Sequence, residues 1–101
     1  MGRRIELGPA SEIPRNDFRV FPLEAIDVVV YNVEGVFYAV SNYCPHQGVV
    51  ISRGPLQGSI ITCPGHGYKF DVTTGQCLTD PELRLTRFAL EREGDTLYLE
   101  F

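Results

Sequence analysis

Two short arms hold most of the strongly metal-coordinating residues in this chain of 101 residues. Cys44-Pro45-His46 is one and Cys63-Pro64-Gly65-His66 is the other. Both histidines of the chain and two of its three cysteines lie inside these arms. Each arm offers one soft thiolate and one borderline imidazole, so the pair can fill four coordination positions on metal. Structural zinc more often draws on Cys–Cys knuckles with His–His pairs, or on two Cys pairs. Here each arm mixes the two donor types. That alternation suits a binuclear iron–sulfur centre, with both thiolates on one iron and both imidazoles on the other. A zinc-stabilised structural module is the bland alternative for the same donors.

The elements that must position these arms read as strands. Phe18-Arg19-Val20-Phe21 alternates, and 26–33 is rich in Val, Ile and Tyr. Glu34-Gly35 then turns the chain into Val36-Phe37-Tyr38-Ala39-Val40 as the second arm of a hairpin. Ser59-Ile60-Ile61-Thr62 is a short strand that delivers Cys63, and Tyr68 to Val72 leads through Thr74-Gly75 to Gln76-Cys77-Leu78. Leu83 to Leu90, a turn at Glu93-Gly94-Asp95, and Thr96 to Phe101 close the chain. Ten glycines and seven prolines leave little room for a long helix. Gly8 to Asn16 reads as loop, or one helical turn at most. The expected fold is all-β: an antiparallel sandwich that projects two loops from its strand ends.

Totals narrow the class. A chain of this length is one domain, with a composition of 44% apolar and 22% charged residues that suits a soluble globular protein. The net charge of −4 argues against nucleic acid and anionic membrane as partners. No apolar run approaches the roughly 20 residues that cross a bilayer. Arg3-Arg4 is followed by charges and proline rather than an apolar stretch, so it does not read as an export signal. One cysteine remains outside the arms, which disfavours a secreted disulfide scaffold. The expected location is the cytoplasm.

Cys44-Pro45-His46-Gln47-Gly48 and Cys63-Pro64-Gly65-His66-Gly67-Tyr68-Lys69-Phe70-Asp71 resemble the two boxes of Rieske-type [2Fe–2S] ferredoxins. The resemblance extends to the hairpin 31–40, to Thr74-Gly75-Gln76-Cys77-Leu78 and to the closing strand 97–101, and so covers about residues 5–101. It implies a Rieske-type antiparallel β-sandwich over 1–101, with a small cluster-binding subdomain at about 42–80 inserted as two loops. It further implies one [2Fe–2S] cluster, with Cys44 and Cys63 on the inner iron and His46 and His66 on the outer one. Asp80-Pro81 resembles the family's proline-containing loop beside the cluster, and Cys77 reads as a small buried residue on a strand. Tyr43 and Tyr68 read as packing around the site. High-potential members carry an extra disulfide and donate Ser and Tyr hydroxyls to the cluster sulfurs. This chain has no second cysteine in either arm, and Tyr68 and Phe70 stand at the donor positions. Fewer hydrogen bonds to sulfur imply a low-potential ferredoxin.

Once the ligands are assigned, no histidine remains for a 2-His-1-carboxylate iron site, and no Gly-rich nucleotide loop is present. The expectation is therefore a one-electron carrier without a catalytic site of its own. The resemblance implies that it passes electrons from a flavin-dependent NAD(P)H ferredoxin reductase to a terminal oxygenase, of the aromatic ring-hydroxylating dioxygenase type. A small subunit of an assimilatory nitrite reductase is the alternative with the same fold.

Overall fold

The computed structural model describes residues 4–23, 26–45, 49–65 and 67–100. Its strands are β1 (Arg4–Pro9), β2 (Phe18–Pro22), β3 (Asp27–Val33), β4 (Val36–Ser41), β5 (Leu56–Gln57), β6 (Ile60–Thr62), β7 (Lys69–Asp71), β8 (Arg87–Glu93) and β9 (Thr96–Glu100). All pairings are antiparallel. Six strands form one sheet in the order β1-β9-β8-β4-β3-β2, and β5-β6-β7 form a second, smaller sheet. The only helical pieces among the described residues are single 3-10 turns at Ala10–Glu12 and Ile51–Arg53.

Strand β3 sets the architecture. Val28, Val29, Val30 and Tyr31 are all fully buried, so both faces of this strand are covered and its sequence need not alternate. On one face Val28 and Val30 pack with Ala39, Leu97 and Leu99. Ile5 and Leu7 of edge strand β1 and Phe21 of the opposite edge strand β2 join the same cluster. The six-stranded sheet therefore folds back on itself as a sandwich, which is the architecture expected. On the other face Val29 and Tyr31 pack with Val40, Ile51, Ile61, Phe70 and the three cysteines. That second core ties the small sheet to the large one.

The β3–β4 connection is the two-residue turn that Glu34-Gly35 predicts. Both residues have positive φ, 53° and 93°, as a primed hairpin turn requires. Asn32 secures it: its side-chain carbonyl accepts the Gly35 N–H at 2.8 Å while its amide donates to the Ile13 carbonyl at 2.8 Å.

Strands β4 and β8 are direct neighbours, paired at Ala39–Phe88 and Val40–Arg87. The Ser41 N–H donates to the Thr86 carbonyl at 2.9 Å just beyond that ladder. Residues 42–86 thus leave and rejoin the sandwich between two hydrogen-bonded strands. Both arms and the small sheet lie within this insertion.

The structure differs from the sequence reading in three places. Arg4–Pro9 is a strand, created by pairing with β9 and interrupted by a register shift between Glu6 and Gly8, where Gly8 has φ 115°. The short strand β5 exists because Leu56 and Gln57 pair with Ile61 and Ile60. The stretch expected as strand from Leu83 begins its ladder only at Arg87, because Leu83 and Leu85 bond back to Cys77 and Gly75 instead.

Tyr31 is the outlier in this core. Its hydroxyl is buried with no hydrogen-bond partner among the described residues, and burial pushes its pKa well above the usual phenol range. Stranding a polar group this way costs about 1–3 kcal/mol. Tyr31→Phe should therefore raise stability by about 1 kcal/mol, read as a higher midpoint in chemical denaturation with an unchanged slope.

Candidate metal centre

Both arms are loops of one design. Tyr43 bridges Val50 in antiparallel fashion and Thr62 pairs with Lys69, so residues 44–49 and 63–68 are enclosed between matched pairs. A cysteine is the first residue of each loop. The Cys44 N–H donates to the Val49 carbonyl at 2.7 Å, and the Cys63 N–H donates to the Tyr68 carbonyl at 2.7 Å. In the second loop the Cys63 carbonyl also accepts the Gly67 N–H at 3.0 Å, with Gly67 at φ 74°. Proline follows each cysteine and fixes φ at the next position. The two cysteines are thus held in the same backbone setting. Neither forms a disulfide among the described residues; they are 1% and 2% exposed, and both belong to one packed cluster.

The partner histidines, His46 and His66, lie outside the described residues, as do Gln47 and Gly48. Among the described residues no group of three or more metal-ligating side chains converges.

A hydrogen-bonded route joins the bases of the two loops. Asn42, 2% exposed, immediately precedes Tyr43. Its side-chain carbonyl accepts the Ser52 N–H at 3.0 Å and its backbone carbonyl accepts the Ile51 N–H at 3.0 Å. Its own N–H donates to the Asp27 carbonyl at 2.9 Å, which anchors the route to β3. The 3-10 turn then brings Gly54 against Thr62, the residue before Cys63. A Cβ on Gly54 would stand 1.7 Å from the Thr62 carbonyl oxygen and 3.3 Å from the Pro64 ring, so no other residue fits. The Thr62 N–H closes the route on the Pro55 carbonyl at 3.1 Å. Sequence reading missed Asn42 and Gly54. Their signal was only a buried-strand end followed by Asn, and a Gly-Pro pair, both of which read as ordinary turns.

Cys77 is buried as expected, yet its sulfur also has a use. The Asp80 N–H donates to Sγ at 3.3 Å, and the Thr79 hydroxyl lies 3.4 Å away. Thr79 Oγ1 accepts the Lys69 N–H at 3.3 Å, and the Leu78 N–H donates to the Lys69 carbonyl at 2.7 Å. Residues 77–80 are therefore strapped to the end of the second loop, where the proline-containing loop was expected. Phe70 is fully buried and bridges Cys77. Tyr68 is partly buried against the same core, whereas Tyr43 is 38% exposed and its hydroxyl donates to the Asp27 carboxylate at 3.2 Å.

Asp71 shapes the turn after β7. Burial alone would raise its pKa, but hydrogen bonds from the Thr73 hydroxyl and amide, then from Ser59, and the charge of Arg87 outweigh it and hold the carboxyl below the usual range. The bonds from Thr73 are 2.7 Å from the hydroxyl and 2.9 Å from the amide.

The chemistry of the site fits an iron–sulfur group. Two buried thiols in loops closed by the same Cys N–H hydrogen bond, with no carboxylate anywhere from 41 to 70, form a soft, oxygen-poor donor set. Comparison with known proteins agrees. The Rieske [2Fe–2S] domain family matches residues 3–89. The ferredoxin component of the naphthalene 1,2-dioxygenase system of Pseudomonas aeruginosa is 34% identical over 90 residues, covering 88% of this chain and 86% of its own. Its counterpart in Pseudomonas putida is 39% identical over 77 residues, covering 76% and 74%. Among solved structures, the complex of reduced oxygenase and oxidised ferredoxin in carbazole 1,9a-dioxygenase contains a chain that superposes with a TM-score of 0.87. That chain is 30% identical, over 95% of this chain and 91% of its own. A zinc-stabilised module finds no support in these likenesses.

Two variants test the support of the loops. Asn42→Ala leaves the buried Ser52 N–H unpaired and should cost about 1–3 kcal/mol, measured by denaturant unfolding. Asp71 has a folded pKa below its unfolded value of about 4, so its contribution is present above that pH and is lost as pH falls through the folded value. Asp71→Asn should remove this part of the acid sensitivity, seen as a shallower fall in thermal midpoint below about pH 4.

Proposed function

This chain belongs to the Rieske [2Fe–2S] family, and on that premise we propose that Cys44, His46, Cys63 and His66 are the four ligands of its cluster. The observation that carries this assignment is the pair of matched loops, each with a buried cysteine at its first position and the same closing hydrogen bond. The two cysteines would hold the inner iron and the two histidines the outer one. When bound, the cluster supplies reversible one-electron transfer. The chain's own residues hold the thiolates in a dry pocket, restrain the loops through proline and the Asn42–Gly54 route, and strap the second loop through Cys77.

The protein is then a one-electron carrier, with no catalytic site of its own. It receives electrons from a flavin-dependent NAD(P)H ferredoxin reductase and delivers them to a terminal oxygenase of the ring-hydroxylating dioxygenase type. The naphthalene dioxygenase ferredoxins and the oxygenase-bound carbazole dioxygenase ferredoxin support this role by analogy. The domain is read as one unit over 1–101 with its cluster-binding subdomain at about 42–80. No described helix is long and apolar enough to cross a membrane, and the proposed location is the cytoplasm.

Purified protein should contain two irons and two labile sulfides per chain, and Cys44→Ser or Cys63→Ser should abolish cluster assembly. Cys77→Ser should leave the visible spectrum nearly intact. Stoichiometric zinc without sulfide would contradict the assignment. With Phe70 buried and unable to donate, the midpoint should lie toward the low end of the Rieske range, roughly −150 mV. Phe70→Tyr should raise it in protein-film voltammetry.

A further inference from the structure

The two cores are held together differently. No described residue from 42–86 belongs to the inner core, which Val28, Val30, Leu97 and Leu99 fill from within the sandwich. The outer core is shared: Val29, Tyr31 and Val40 come from the sandwich, and Ile61, Phe70, Val72 and the three cysteines from the insertion. Hydrogen bonds cross between the two parts at the ends of the insertion. The Ser41 N–H donates to the Thr86 carbonyl at 2.9 Å, and the Asn42 N–H and the Tyr43 hydroxyl donate to Asp27 at 2.9 and 3.2 Å. Strands β5, β6 and β7, two or three residues each, make no hydrogen bond to the sandwich among the described residues. Arg87 reaches over the boundary, its charge acting on Asp71 and its side chain lying beside Gly75. Away from those points apolar burial holds the small sheet down, and strands this short do not persist without it.

Tyr31 weakens that burial. It is fully buried in the shared core, and its hydroxyl has no partner among the described residues. Closed, the small sheet keeps this hydroxyl dry; lifted, it lets water in. The stranded hydroxyl therefore penalises the closed state and not the open one. The inner core does not include Tyr31 and gains nothing from the opening. Cys44 and Cys63 are buried in the shared core, so lifting the sheet uncovers the packing around both.

We propose that the small sheet β5–β7 and the strap 77–80 open together from an intact sandwich, that Tyr31 sets how readily they do so, and that this opening is a route to the thiols of Cys44 and Cys63. The opening itself follows from the two cores; what it serves rests on the ligand assignment above.

Cys77 is a built-in reporter, because it is buried in the shared core and lies outside the proposed ligand set. The test follows N-ethylmaleimide labelling of Cys77 by mass spectrometry in the cluster-loaded full chain. Far-ultraviolet circular dichroism reads global unfolding in urea alongside it. Labelling should rise with urea on a shallower slope than global unfolding, since the opening exposes less surface. Tyr31→Phe should slow labelling without urea about fivefold. Val30→Ala, in the inner core, should lower the urea midpoint and leave labelling without urea unchanged. Release of iron from reduced protein to bathophenanthroline disulfonate should slow in Tyr31→Phe by the same factor as labelling. Equal urea slopes, or faster labelling in Val30→Ala, would overturn the opening, since global unfolding would then be what exposes Cys77. Labelling that ignores Tyr31→Phe would overturn the role of Tyr31 and show that the strap frays alone. Slower labelling with unchanged iron release would overturn the opening as the route to Cys44 and Cys63. Zinc without sulfide in the purified protein would refute the ligand assignment, while Cys77 labelling would still decide the opening.

Discussion

The close approach of Gly54 to the Thr62 carbonyl is the constraint on which the rest of the site depends. The two proposed ligand loops are separated in sequence, and only a rigid intervening segment can fix their spacing. The chain solves this with backbone rather than side chains. Ile51 and Ser52 hang from Asn42, Gly54 lies on Thr62, and each of those anchors sits within two residues of Cys44 or Cys63. A side chain at 54 would force the loops apart, since the atom it meets is backbone and cannot rotate away. The same economy appears at the ends of the insertion, where β4 and β8 close the sandwich beneath it.

Burial and hydrogen bonding divide the labour between the two cores. The inner core, built on Val28, Val30, Leu97 and Leu99, makes the sandwich a stable base and contains no reactive group. The outer core is where the three cysteines lie, packed with Phe70, Ile61 and Val29. A dry setting around the thiolates and few polar donors to sulfur both lower a cluster's potential, through dielectric and hydrogen-bond effects that act in the same direction. Structure and redox role are connected through that second core.

What was legible in the sequence follows from how local each feature is. The β3–β4 hairpin was readable because Glu34-Gly35 is a two-residue turn between β-branched runs. Both arms were readable as candidate ligand loops because rare donors stand at fixed spacing. Strand β1 was not, since Arg4–Pro9 contains Gly8 and Pro9 and becomes a strand only by pairing with the far end of the chain. Asn42 and Gly54 were opaque for a similar reason: each is an ordinary turn residue until its long-range neighbour is known. Cys77 was placed correctly as buried, but the bonds to its sulfur depend on how 77–80 returns to Lys69. His46 and His66 were assigned by spacing and family resemblance, and lie outside the described residues.

The central claim, four ligands from two matched loops, is tested most directly by pulsed electron paramagnetic resonance on protein labelled with ¹⁵N-histidine. The chain has only two histidines, so each coupling has an unambiguous origin. The reduced centre should show two strongly coupled histidine nitrogens, and His46→Cys or His66→Cys should each remove one of them. A reduced centre with no strongly coupled histidine nitrogen, or with only one, would contradict the account.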